Sequence, residues 1–288
     1  MTALAQALVS GVLLGGLLAL VALGLSLVLG VMRLVNLVHG EMVVIGSYAA
    51  YVLVTQTGLD PLVSLPIVAA VGAVIAWPVQ KLLIQPITAH GEDAPLITTF
   101  ALSIIVQNLF VLWLGGDTRT VDRGYTRSSL DFGPVTVPTI YLISFVISAV
   151  VCVGVHLLLT RTSFGRRLRA GSEDPGAAAI IGVRVPRLHA TTFALAGAIA
   201  GVAGSLAAMT FSFTPTSGAN WLLTGFAVVV LGGLGSVKGT AVGGLMLGVA
   251  ESLGALAFGD GYRLFVGLVV FLVFLALRPN GLYGSVTT

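Results

Sequence analysis

The sequence predicts an all-α protein, a polytopic transmembrane helical bundle of about 8-10 spans with an internal repeat and broken helices. Composition is the first observation: hydrophobic residues make up 57% of the 288 positions and charged residues only 9%, with a mean hydropathy of +1.05. A soluble domain carries roughly a quarter charged residues. Length is the second, because the apolar runs reach the about 20 residues that a helix needs to cross a bilayer. Pattern is the third. The runs lack the period-two alternation of barrel strands, and only helices or closed barrels satisfy their backbone in lipid.

Nine segments follow in order. The first covers about residues 3–30; Gly11, Gly15 and Gly16 allow close helix approach, and the start, without a basic n-region, is expected to be a mature helix. The second is drawn at 42–56, ending in the Gly58-Leu-Asp-Pro61 turn, and the third at 62–84 with Trp77-Pro78 near its end. A polar connection over 85–95, containing His90, leads to the fourth at 96–115. Residues 116–138 read as a turn-rich loop of mixed charge. The fifth segment lies at 139–160, and an arginine-rich island at 161–187 separates it from the last four, at 188–211, 220–236, 239–258 and 262–278. The 220–258 region could be re-entrant rather than two full spans.

Charge sets the expected orientation. The island holds Arg161, Arg166, Arg167, Arg169, Arg184 and Arg187, and strict alternation puts Arg33, Lys81, Lys238 and Arg278 on its side. Arg119, Arg123, Arg127 and Arg263 fall on the other. The positive-inside rule then makes the island cytoplasmic, with the N-terminus outside and the C-terminus inside. Basic residues confined to loops fit topology signals rather than nucleic-acid binding. Cys152 is the only cysteine, which excludes an intrachain disulfide and a cysteine-based metal site.

Within the island a short helix has both ends marked. Asp174 suits an N-cap, Pro175 the first helical position, and Gly182 the left-handed closing residue. Gly176, Ala177, Ala178, Ala179, Ile180 and Ile181 lie between, too short a helix to be stable undocked. One reading is an interfacial helix among lipid headgroups. The other is a docking helix for a cytoplasmic partner, with its small residues in a close-fitting groove. The stretch resembles the coupling loop of ABC-importer permeases, whose pattern is Glu-Ala-Ala, three residues, then Gly; glycine stands here in place of the glutamate.

Asn36-Leu-Val-His-Gly-Glu41, with Gly46 beyond, places polar groups among apolar ones, where they normally face a bundle interior or watery cavity. A plain turn, a path-lining cluster and a His39–Glu41 acid–base pair are the readings, in which catalysis ranks last. A metal site would need more ligands than the scattered His90, His156 and His189 offer. Asn36, His39, Gly40, Glu41 and Gly46 are similar to the signature of branched-chain amino acid ABC permeases. Leu231-Gly-Gly-Leu-Gly-Ser-Val-Lys-Gly-Thr-Ala-Val-Gly-Gly244 resembles the same family; Gly235, Ser236 and Gly239 allow a broken helix, while Gly235, Gly239 and Gly243 suit tight packing. A faint echo pairs Asn36–Gly46 with Gly235–Gly243. The stretch is not a Walker A, since Lys238 precedes Gly239. Glu251 is an acid inside an apolar span, by default buried, paired or functional.

The resemblance covers nearly the whole chain. It implies a single ABC-importer transmembrane domain over 1–288, with a cytoplasmic coupling loop at 161–187, in the bacterial inner membrane. The implied partners are two cytoplasmic ATP-binding subunits, a second homologous permease or a second copy, an extracytoplasmic substrate-binding protein and membrane lipid. No nucleic acid and no metal are expected, no cofactor is expected on this chain, and ATP belongs on a partner subunit, so the chain is not itself an enzyme. The implied cargo is a branched-chain amino acid, another amino acid, urea or a short amide. A stand-alone secondary transporter or channel is the rival reading; it would need intramembrane charges for ion coupling, of which Glu251 is almost the only central candidate.

Overall fold

Nothing in the first apolar run interrupts helix, and α1 (Thr2–Met32) is continuous and buried almost throughout from Leu13 to Val28. The other elements of this computed structural model gather around it; residues 2–88, 91, 93–133, 135–278 and 281–283 are described, so that His90 in the polar connection lies outside them. They are α2 (His39–Thr57), α3 (Pro61–Pro78), a π-helical stretch Val79–Ile84 after Pro78, the single turn α4 (Gln85–Ile87), α5 (Ala94–Leu114) and α6 (Thr139–Arg161). Then come α7 (Ser163–Glu173), α8 (Pro175–Ile180), α9 (Val185–Thr210), α10 (Gly218–Gly232), α11 (Val237–Phe258) and α12 (Arg263–Leu277). The 116–138 loop contains a two-stranded antiparallel hairpin, β1 (Ser129–Phe132) and β2 (Val135–Pro138), with Ser129 opposite Pro138.

All nine expected segments are helical, but among the described residues seven helices are long and apolar enough to cross a membrane. The two outside that set are α2 and α10, and both begin deep inside the bundle. His39 donates through Nε2 to the Val21 carbonyl at 2.8 Å. That places the start of α2 roughly 16 Å above the Met32 end of α1, at about 1.5 Å per residue. Residues 33–38 therefore turn back into the protein, with Arg33 at φ 50.

Helix directions follow from the glycine contacts. Gly11 lies against Gly248 and Val249, Gly15 against Gly244 and Leu245, and Gly30 against Gly235, so α1 and α11 are antiparallel. Gly72 meets Gly197 and Gly201 meets Val68, so α3 and α9 are antiparallel as well. These two interfaces are the largest in the chain. They fit because small residues let helix backbones approach where lipid supplies no hydrophobic drive. Thus α1, a break, the buried start of α2 and then α3 correspond to α9, a break at 211–217, the buried start of α10 and then α11, in inverted sense. The expected echo is corrected by this pairing. Asn36–Glu41 corresponds to 211–217, whereas Gly233–Ser236 is the α10–α11 link and corresponds to residues 58–60 between α2 and α3.

The two ends of the bundle carry different loops. Gln6 accepts from the Thr136 N–H at 2.9 Å, and Arg119 and Phe213 exchange backbone hydrogen bonds at 2.9 Å, which gathers the α1 start, the hairpin loop and the α9 end at one face. At the other face, Leu27, Gly30 and Val31 share a cavity with His156, Arg169 and Lys238. Lys81 there shares another with Pro175, Arg184 and Arg187. The basic residues are therefore segregated between the faces as the sequence reading grouped them. Large apolar side chains left exposed, such as Val74 on α3, Trp113 on α5, Val150 on α6 and Leu272 on α12, form the outer surface of the bundle. Such a surface suits lipid or a partner span.

Candidate functional site

The α2 start is built from the motif at 36–41. Asn36 and His39 are fully buried and Glu41 nearly so. The Leu37 N–H donates to Thr99 Oγ1 at 3.3 Å, and Ser103 Oγ donates to Glu41 Oε1 at 3.2 Å, so α5 ties down the segment. His39 and Glu41 do not pair with each other, which removes the geometry an acid–base couple would need. Both side-chain polar atoms of Asn36, His39 Nδ1 and Glu41 Oε2 have no hydrogen-bond partner among the described residues. Buried polar atoms without partners are costly, and native structures hold few of them.

The first residue of α10 meets this cluster. Gly40 packs on the Gly218 carbonyl, and a Cβ at Gly218 would stand 2.6 Å from Glu41 Oε2. Only glycine fits at this contact. The N-terminal ends of α2 and α10, the positive ends of their dipoles, thus converge on one carboxylate inside the bundle. α2 is held in turn by α9: Gly46 lies against Gly201, and Ser47 Oγ donates to the Gly204 carbonyl at 2.8 Å.

The remaining path or gate candidates lie elsewhere. Gly235, with φ 77, and Ser236, whose Oγ accepts from the Gly239 N–H at 3.0 Å, close α10 and cap α11 at the basic face. Gly239 and Gly243 pack α11 onto α10. Glu251 sits on α11 facing α12, with Oε1 near Gly267. The structure therefore distributes these residues over three places, and among the described residues no cluster of three metal-ligating side chains occurs. Sequence reasoning passed over Ser103, Thr99 and Gly218. For Gly218 a signal existed in Thr214-Pro-Thr-Ser-Gly218, where Thr214 and Ser217 bond reciprocally just before α10.

In the island, α8 forms as its end signals require. Asp174 Oδ1 accepts from the N–H groups of Gly176 and Ala177, each at 2.9 Å. At the other end Gly182 has φ 86, its N–H donates to the Ala179 carbonyl and that of Val183 to the Ala178 carbonyl, a Schellman closure. The arginine-rich half, read only as charged sequence, is itself a helix, α7, with Leu168 and Gly171 inward and Arg166, Arg167 and Arg169 outward. Of the small residues expected in a partner's groove, Ala178 is not available to one: it is 2% exposed because it faces its own chain, while Ile180 is 88% and Ile181 75% exposed. The outward surface of α8 comprises Pro175, Gly176, Ala177, Ala179 and Ile180, continued by Ile181 at its C-cap, and its large apolar side chains are the two isoleucines.

With this geometry in place, comparison with known proteins is decisive. The family described as "Branched-chain amino acid transport system / permease component" matches residues 7–277. The chain belongs to that family. This permease is 32% identical to the high-affinity branched-chain amino acid transport system permease protein BraD of Pseudomonas aeruginosa, over 97% of this chain and 95% of that one. It is 30% identical to the probable branched-chain amino acid transport permease protein LivH of Methanocaldococcus jannaschii, over 93% and 89%. With the high-affinity permease protein LivH of Salmonella typhimurium the identity is 28%, over 97% and 95%. No solved structure matches. The permease is thus a multi-pass membrane protein, and both its polar junction and its capped surface helix lie within the matched residues.

Proposed function

We propose that this permease is the membrane-spanning subunit of an importer for branched-chain amino acids, driven by ATP-binding subunits on separate chains. The observation that carries this reading is α8, a helix capped at both ends on the basic face that holds Ile180 and Ile181 in the open. Such a pair is costly to expose without an occupant, and helix-in-groove docking supplies one. The island face is then cytoplasmic and the hairpin face outward, in a plasma (inner) membrane. A substrate-binding protein delivers cargo at the hairpin face, and a second permease, homologous or identical, completes the pathway.

The mechanism this supports begins at α8. Its displacement by an ATPase reaches α9 through residues 181–184, and α9 carries the close contacts to α2 and α3. The junction of α2 and α10 lies at the far side of those contacts. It is the part of the interior held by helices that begin inside the bundle rather than at its faces, and is assigned here as the gate.

Cells lacking this chain are expected to lose high-affinity uptake of labelled leucine and to regain it on complementation, with isoleucine and valine competing. Unchanged leucine uptake in both the deleted and complemented cells would overturn the substrate assignment.

A further inference from the structure

A second charged place lies toward the hairpin face, where the start of α10 that meets the Glu41 junction at Gly218 also meets α11 and α12. Glu251 of α11 and Arg263 of α12 line one cavity of about 180 Å³, together with Ser217, Asn220, Trp221 and Phe211 from the α9 end and α10. That volume holds far more than one water. Glu251 is only 6% exposed, in the middle of an apolar helix, and its carboxylate accepts no protein hydrogen bond among the described residues. The guanidinium of Arg263 shares the cavity without closing on it. Among the described residues its ion-pair partner is Asp260, at a limiting 4.0 Å, and its Nε has no hydrogen-bond partner. Phe211 and Trp221, with ring centroids 6.0 Å apart, form the apolar wall.

A buried carboxylate and a guanidinium that line one cavity without pairing with each other are complementary to a molecule carrying one charge of each sign. We infer that this cavity is a subsite for the zwitterion of an α-amino acid, with Glu251 receiving the ammonium group, Arg263 the carboxylate and the Phe211–Trp221 wall an aliphatic side chain. The chemistry fits each part. The guanidinium fork matches a carboxylate in two parallel hydrogen bonds, and charge-assisted bonds of this kind are the strong ones. An acid retained in an apolar span is a functional position by default. The place fits too: the cavity lies at the face where a binding protein delivers cargo, so the permease itself reads the backbone of its substrate. The assignment rests on the proposed import of branched-chain amino acids.

Trp221 gives the subsite its own reporter, since the chain has 3 tryptophans and the other two, Trp77 and Trp113, stand at exposed positions. The full chain carrying Trp77→Phe and Trp113→Phe, in nanodiscs and without binding protein, is titrated with L-leucine. A saturable change in Trp221 fluorescence is expected. It should be at least about tenfold weaker for 3-methylbutylamine and for 4-methylpentanoate, each of which keeps one charge, and for L-leucine on Glu251→Gln or Arg263→Gln. These figures follow from about 1.5–3 kcal/mol per charged hydrogen bond and 1.4 kcal/mol per tenfold. Arg263→Lys, which keeps the charge and loses the fork, should fall between wild type and Arg263→Gln, and serves if the neutral variant fails to fold. No leucine response, or equal responses from all three ligands, overturns the subsite. If the complete transporter still imports leucine in that case, the importer reading survives; if leucine is not imported either, that reading has failed.

Discussion

Replacing Ile180 and Ile181 should detach the ATP-binding subunit while leaving the permease folded. Both side chains are exposed, at 88% and 75%, and make little contribution to their own chain, so shortening them costs the isolated permease almost nothing. Once buried in a groove, each fully covered isoleucine contributes about 1.5–3 kcal/mol. Ile180→Ala removes most of that, and at 1.4 kcal/mol per tenfold the ATPase should bind roughly 10- to 100-fold more weakly. Ile180→Asp should act more severely, because a carboxylate would enter the groove unpaired. Ala178→Asp should behave differently: at 2% exposure it places the charge inside the permease and should lower its thermal stability before any partner is added. Titrating the purified ATPase onto nanodisc-embedded variants measures both effects. Wild-type affinity in the Ile180→Asp, Ile181→Asp double variant would refute the docking role of α8. A headgroup helix would show the same lipid-anchored complex in every variant.

Three other outcomes follow from the geometry. Gly218→Ala should lower thermal stability by about 1–3 kcal/mol of overpacking and abolish uptake, because its Cβ would meet the Glu41 carboxylate; the double variant Gly218→Ala, Glu41→Ala should recover part of the stability, and no recovery would contradict the contact. On a Cys152→Ala background, single cysteines at Ser172 and Ser128 should label from opposite sides, Ser128 from outside; labelling of Ser172 by an impermeant reagent in intact cells contradicts the orientation. In the loop at 116–138, burial and its hydrogen bond to Asp60 push the Tyr125 hydroxyl up to about 12. The protonated form is the one that folding favours, so its contribution is full below about pH 10 and is lost between about 10 and 12. Tyr125→Phe should flatten the pH dependence of melting in that window, and an unchanged slope would count against the bond.

What the sequence revealed was what local chemistry decides. The caps of α8 are read from Asp174, Pro175 and Gly182 because each acts within a few residues of itself. The face that α8 turns outward was not legible, since Ala178 is hidden by packing against the rest of the chain and nothing local distinguishes it from Ala179. The polar motif at 36–41 stood out as a motif, yet its partner did not: Gly218 lies far along the chain, and the inverted repeat that brings them together follows from helix directions. That is also why the echo was drawn to the glycines at 235–243, which resemble the motif in composition but occupy the opposite link. Glu251 was conspicuous as an acid in an apolar run. Arg263 was read as a topology charge in an outer loop, because only the packing of α12 on α11 sets it beside that acid.

The central claim is that ATP hydrolysed on another chain drives branched-chain amino acids through this permease. Uptake of labelled leucine into proteoliposomes holding the complete assembly, with binding protein outside and ATP inside, tests it most directly. Accumulation against the gradient that requires both the binding protein and internal ATP, and that stops with an ATPase unable to hydrolyse, is the predicted result. Accumulation that continues without the ATPase, or that follows an ion gradient instead, would contradict it.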